Sequence, residues 1–291
     1  MSHASQPSIA TATIHQCLLE AARWAPSADN TQPWQLVASS PNHIDIRYDQ
    51  ERAEGKTFSA NSEAVALSIG AMAENIIRVA HAGNIPCSAV FQPNANEPAL
   101  LCSIHLGSET WDAEKGLNEL HAVKQRHTNR HPFSKTPIAK PQNWPTLPVA
   151  TGATMLWLDE NSKKCEVAEM VKLASAMRFQ NKEVHEWLAA SLRFEAIDVA
   201  RGDGLDVATF HLPPGGKHLL KLISSWSRMR KLNCLGMYHL LANMEAQPIK
   251  AAPAIVAIVT DQAAGSGFNA GRLMQQVWLA LNQAGLAVQP Y

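Results

Sequence analysis

Two short segments gather side chains of the kind that bind ligands rather than merely pack. The first runs Ala21-Ala22-Arg23-Trp24-Ala25-Pro26-Ser27-Ala28-Asp29-Asn30-Thr31-Gln32-Pro33-Trp34. Apolar residues at helical spacing from Ile14 to Trp24 stop at Ala25-Pro26, because proline lacks the amide donor a helix needs. The loop that follows is dense in short donors and acceptors: Ser27, Asn30, Thr31 and Gln32. Such groups can hydrogen-bond a flat heterocycle with alternating N–H and C=O edges. They equally suit an ordinary proline-bounded turn in which Asp29 and Asn30 bond their own backbone. The second segment is Arg126-His127-Thr128-Asn129-Arg130-His131-Pro132-Phe133. Two guanidinium groups with a hydroxyl between them suit a phosphate, as charged forks plus one neutral donor. A solvated basic helix end is the other use of such a cluster. His127 and His131 have the spacing of a helical metal pair, but a third ligand is missing and Pro132 points to irregular backbone. No metal is expected.

The elements that must hold these segments can be read from periodicity. Strand-like runs follow the first loop at Trp34–Val37 and Ile44–Ile46. A long helix covers Glu63–Ala82 and closes at Gly83. A strand is expected at Leu100–Leu106 and a helix at Leu117–Arg126. The prolines at 137, 141, 145 and 148 make Lys135–Pro148 an extended connector. Beyond it come a strand at Thr154–Leu158, helices around Val167–Phe179 and Glu183–Phe194, and a Gly/Pro-containing excursion from Arg201 to Lys217. Ala254–Thr260 has the β-branched content of a buried strand, and Gly271–Ala284 reads as a last helix. The stretches 71–83 and 273–285 are alike, each a mostly apolar helix running into Ala-Gly. Two glycine clusters imitate phosphate loops and fail. In Gly265-x-Gly267 with Gly271 the third glycine is one position late, and Gly215-Gly216-Lys217-His218 lacks the Ser or Thr that should follow the lysine.

The string Pro-Ser-x-x-Asn-x-Gln-Pro-Trp after Ala-Ala-Arg resembles the flavin-contacting signature of nitroreductase-like FMN proteins. The resemblance implies that Ser27 and Asn30 contact FMN, with Gln32 in the same loop. Arg126, Thr128 and Arg130 are similar to the family's Arg-x-Ser-x-Arg element for the FMN phosphate and ribityl chain, with Thr for Ser. In ordinary family members the phosphate element opens the chain and the loop follows. Each site there is built across a homodimer interface. Here the order is reversed, which implies two nitroreductase-like halves, 1–125 with the ring loop and 126–291 with the phosphate element, intertwined and sharing one FMN. This pattern resembles the Acg-like branch of the superfamily, where a lid can cover the flavin; Arg201–Lys217 is the candidate lid. The implied fold is α/β (α+β), with mixed and antiparallel sheets flanked by helices in a fused pseudo-dimer. The family continues past its last helix with a further strand or arm, so a chain ending at Tyr291 reads as a fragment.

Composition limits what else is possible. Lys plus Arg equals Asp plus Glu at 25 each, so there is no basic field for nucleic acid or anionic membrane. The five cysteines are scattered and form no CxxC pair, which fits a reducing compartment. The N-terminus lacks the pattern of a signal peptide, and no apolar run is long enough for a membrane helix. A cytoplasmic protein is expected, a monomer as pseudo-dimer or a homodimer. Two functions follow from the resemblance. One is an FMN-dependent oxidoreductase that takes hydride from NAD(P)H as a transient donor and passes electrons to a small nitro- or quinone-like acceptor. The other is a lid-covered FMN protein that stores or senses flavin. Neither requires a catalytic side chain, and none is assigned.

Overall fold

The structure, a computed structural model, describes residues 13–53, 58–92, 97, 99–141, 152–261, 263 and 265–291. Helix α1 (Ile14–Arg23) starts at a capping box, Thr13 and Gln16 each accepting from the other's backbone N–H. It buries Cys17, Leu18, Ala21 and Ala22. Strands β1 (Trp34–Ser40), β2 (His43–Tyr48), β3 (Cys87–Phe91) and β4 (Leu100–Leu106) form an antiparallel sheet in the order β1-β2-β4-β3. Ile44, Ile46, Cys102 and Ile104 alternate inward from its two central strands. Short α2 (Gln50–Ala53) follows β2, and α3 (Glu63–Ala82) is capped by Ser62, whose hydroxyl accepts from Val65 N. Helix α4 (Ala113–Gln125) is capped in the same way by Asp112. Together α1, α3, α4 and the sheet enclose the largest apolar core.

The later part of the chain is mostly helical. Strand β5 (Ala153–Leu158) pairs antiparallel with β8 (Ile255–Thr260). Between them lie α5 (Asn161–Gln180), α6 (Lys182–Ser191), β6 (Leu192–Arg193), α7 (Ala196–Val199), β7 (Leu205–Asp206), α8 (Gly216–Ile223), α9 (Trp226–Asn233) and α10 (Met237–Ala251). The two-residue strands β6 and β7 pair in parallel. Helix α11 (Ser266–Gln283) follows β8. It gives Phe268 and Leu279 to the first core, and Leu273, Val277 and Leu281 to a second core with Ala153 on β5. The two regions therefore share a helix.

The two similar stretches at 71–83 and 273–285 lie in or at the ends of α3 and α11, and these helices pack against each other. Their crossing is close because it is lined by glycine. A Cβ on Gly70 would stand 2.0 Å from Phe268 O, and one on Gly271 would stand 1.9 Å from Leu67 O. A polar seam runs beside the crossing. Gln275 donates to Asn75 Oδ1 at 2.6 Å, Asn75 donates to Ala21 O at 3.0 Å, and Arg272 and Gln276 both donate to the buried Glu74. Through Asn75 this seam fixes the end of α1, and with it the start of the first polar loop.

Several expectations change on inspection. Ala254–Thr260 is not a fully buried strand. Among the described residues β8 has a single partner strand, and Val259 is exposed, because α11 covers only one face of the pair. The helix expected to run to Phe194 stops at Ser191, where the chain turns into β6. The helix expected from Leu117 begins earlier, at Ala113, and ends at Gln125, leaving Arg126 extended with φ −66° and ψ 123°. The glycines of the two false phosphate loops have structural work. Gly267 and Gly271 face α3, while Gly215 takes the left-handed position before α8 (φ 81°) and Lys217 donates to Phe194 O. Residues 135–141 of the expected connector contain no helix or strand, and 142–148 lie outside the described residues.

Candidate functional site

The loop after α1 is a tight, left-handed structure. Ala28–Asn30 forms one 3-10 turn, and Asp29, Asn30 and Gln32 have φ of 50°, 53° and 45°. Asn and Asp tolerate this region through local hydrogen bonds, while it is uncommon for Gln. The loop is held from within: Gln32 N donates to Ser27 Oγ at 3.0 Å, and Gln32 Nε2 donates to Asn30 Oδ1 at 3.1 Å. Burial pushes the Asp29 carboxyl above the usual carboxylate range, partly offset by the guanidinium of Arg178.

The second segment leaves α4 as extended chain. Thr128 forms a bridge with Val288, and Asn129 N donates to Val288 O at 2.8 Å, so the turn after α11 anchors the segment. Arg126 is buried. Its Nη2 donates to Trp24 O at 3.0 Å, at the carboxyl end of α1, where the helix dipole favours a cation. The guanidinium also lies 4.4 Å from the centre of the Trp278 ring. Burial pulls its pKa down to about 10, still a cation at neutral pH. Arg126 makes no ion pair among the described residues, and its Nε is buried without a hydrogen-bond partner. Trp278 Nε1 and Asn282 Oδ1, one helical turn apart on α11, are likewise buried and unpartnered. A depression of about 430 Å³ between the ends of α4 and α11 is lined by Gln125, His127, Leu279, Asn282 and Leu286.

Arg130 meets a different part of the chain. Its Nη1 donates to Thr209 Oγ1 at 3.3 Å, and the guanidinium sits 5.2 Å from the Phe210 ring. Burial lowers its pKa, while Asp206 acts in the raising direction. The same stretch of chain grips the first loop. Gly204 N donates to Asn30 O, and Asn30 Nδ2 donates to Gly204 O, both at 2.9 Å. The segment from Gly204 to Phe210 thus ties together two motifs a hundred residues apart in sequence. It is pinned from behind by the buried pair of Arg193 and Asp203, Nη2 to Oδ1 at 2.9 Å. Sequence reasoning missed Gly204, Thr209 and Trp278 as partners of the motifs. Only the glycine-rich composition of 201–217 hinted at the first two.

Of the six expected contact residues, Asn30 and Arg130 meet this linking segment, Arg126 meets the end of α1, and Ser27 and Gln32 brace the loop. Thr128 is placed by its bridge to Val288. The histidines do not form a metal pair: His127 Nδ1 lies 3.0 Å from Gln125 O, and His131 packs against His211. Among the described residues no group of three or more His, Cys, Asp or Glu side chains is placed to hold a metal, and no helix is long and apolar enough to cross a membrane.

The model of the Nitroreductase family matches residues 4–66, which include the whole first loop. The chain is similar to that family over this part. It is 26% identical over 280 residues, 94% of its length, to an uncharacterised protein of Mycobacterium tuberculosis (strain CDC 1551 / Oshkosh). Over 179 residues, 60% of its length, it is also 26% identical to the "Putative NAD(P)H nitroreductase acg" of M. tuberculosis strains CDC 1551 / Oshkosh and H37Rv. The aligned parts span 38% of the first relative and 53% of the second, so the chain corresponds to only part of each. Its mixed α/β build, with antiparallel sheets flanked by helices, agrees with the nitroreductase-like fold.

Proposed function

We propose that this chain binds one FMN between the Ser27–Gln32 loop and the Arg126–Arg130 segment, as an NAD(P)H oxidoreductase of nitroreductase type. The observation that carries the reading is Arg126: a buried cation with, among the described residues, no carboxylate partner and an unpartnered Nε, one segment away from a loop of the nitroreductase signature. A buried guanidinium in that state is costly unless an anion completes it, and a phosphate matches its forked donors. The donors present fit FMN: Arg126, Thr128 and Arg130 for the phosphate and ribityl chain, and Ser27, Asn30 and Gln32 for the edge of the ring. When bound, FMN would supply the redox chemistry, accepting hydride from a nicotinamide and passing electrons to a small nitro- or quinone-like acceptor. The chain's part is to place the ring, to balance the phosphate charge and to exclude water, and no side chain is assigned as acid or base.

A second reading, flavin storage or sensing, draws on one observation. Asn30 is already doubly hydrogen-bonded to Gly204, so the segment that would have to admit a nicotinamide is latched onto the loop. The two readings separate in one experiment. Protein saturated with FMN is mixed with NADPH or NADH without oxygen while the flavin absorbance is followed. Fast bleaching supports the oxidoreductase. Bleaching that stays slow in the native chain and speeds up when Gly204–Phe210 is shortened assigns the segment a covering role. No bleaching in either form favours storage, and failure to bind FMN at all overturns both readings.

A further inference from the structure

The open face of the four-stranded sheet carries a side-chain cluster that the flavin reading leaves unused. The register of β2 and β4 sets His43 opposite His105 and, two residues along, Asp45 opposite Ser103. Their strand neighbours Ile44, Ile46, Cys102 and Ile104 are the buried ones, so these four face outward. His43 Nε2 lies 2.8 Å from Asp45 Oδ1, and Ser103 Oγ donates to the same oxygen at 2.9 Å. A carboxylate on Nε2 holds the proton there, which makes Nδ1 the lone-pair nitrogen of His43. That nitrogen faces His105 Nδ1 at 3.3 Å, with ring centres 4.7 Å apart and planes at 71°.

This separation is informative. It is at the long end for a hydrogen bond between two ring nitrogens. Two imidazole nitrogens at about 2.0–2.1 Å from a tetrahedral Zn²⁺ stand about 3.3–3.4 Å apart. A square-planar ion with bonds of the same length would bring them to about 2.9 Å. The carboxylate behind His43 is the outer-shell partner that zinc-binding histidines commonly have, and Ser103 fixes that carboxylate in turn. We propose that His43 and His105 form a two-histidine Zn²⁺ site on the open face of the sheet, with Asp45 and Ser103 orienting His43. Binding requires His105 to carry its proton on Nε2, which a ring at the surface can do by exchange with water. Two coordination positions are left to water, so the ion is exchangeable rather than structural.

The site is independent of the flavin reading and is tested separately, on the whole chain without added FMN. Protein freed of metal with a chelator is titrated with zinc chloride by calorimetry and by ¹H–¹⁵N spectra of the histidine rings. One equivalent should bind and shift Nδ1 of both His43 and His105. The chain has twelve histidines, so the double variant His43→Asn/His105→Asn supplies the baseline, and the event should vanish in it. Asp45→Asn should keep the site but weaken it about 10–100-fold. Since none of the three side chains belongs to the buried core, circular dichroism should show each variant folded. Zinc that leaves both Nδ1 resonances unmoved, or that binds the double variant as tightly as the native chain, overturns the proposal.

Discussion

Arg126 is buried and Asp29 partly so, and burial moves their pKa values in opposite directions. If FMN binds as proposed, replacing Arg126 or Arg130 by Ala removes a charge-assisted phosphate contact of roughly 1.5–3 kcal/mol. FMN affinity, measured by fluorescence quenching, should fall about tenfold or more, and riboflavin affinity should fall much less. Equal loss for both ligands would mean that the arginines serve only the fold. Asp29 makes a pH prediction. Its carboxyl pKa is raised in the folded protein, chiefly by burial, so the folded state holds the proton more tightly than the unfolded one. Ionising it therefore costs stability as pH rises through the folded value, and nothing is lost below the unfolded one. Asp29→Asn keeps the left-handed backbone, which Asn tolerates, and should raise Tm at pH 7 while leaving it nearly unchanged near pH 3. An equal shift at both pH values would rule out the charge as the cause. The six proposed contact positions stand out as residue types in sequence, because short polar side chains and paired arginines carry their chemistry with them. Their present partners were not. Nothing local to Asn30 foretells Gly204, and nothing local to Arg126 foretells Trp278.

At the scale of elements, the glycine-lined crossing of α3 and α11 decides how the polar loop is held. Gly271→Ala improves intrinsic helix propensity by about 1 kcal/mol. It also drives a methyl group to 1.9 Å from Leu67 O, an overlap that backbone must absorb at a cost of about 1–3 kcal/mol or more. The net effect should be a lower urea midpoint. Because Asn75 and Gln275 share the crossing, FMN affinity should fall with it. A midpoint that rises would show that the helices separate freely. Helices α1, α3 and α11 were readable because each has a continuous apolar face and ends at a proline or a glycine. Helix α10 was not: it follows Gly236, which gives no side-chain cap, and contains Pro248 in its last turn, so both of its ends contradict the usual signals. Strand β3 was missed because Cys87–Phe91 alternates Ser88 with Ala89 and half-exposed Val90. That composition says little until β4 is set beside it.

For the whole molecule, the first loop lies in the region built on the four-stranded sheet, and the arginine segment follows α4 and is anchored by the turn after α11. If the two regions complement each other as proposed, one chain should hold one FMN, by flavin absorbance against protein mass after gel filtration in excess FMN. Two flavins per chain, or one shared by two chains, would refute a single site assembled within the chain. The order of the motifs already carried this expectation, since the ring loop precedes the phosphate segment. What the sequence could not convey is that α11 would serve both cores at once.

The crossing of α3 and α11 has a further consequence for how this chain can vary. The atoms that would meet a Cβ at Gly70 and Gly271 are the main-chain oxygens of Phe268 and Leu67, and every residue type carries that oxygen. A clash against a side chain can be relieved by trimming the neighbour, but here there is no neighbour to trim. A search for second-site suppressors of Gly70→Ala or Gly271→Ala at the facing positions 268 and 67 should therefore return none.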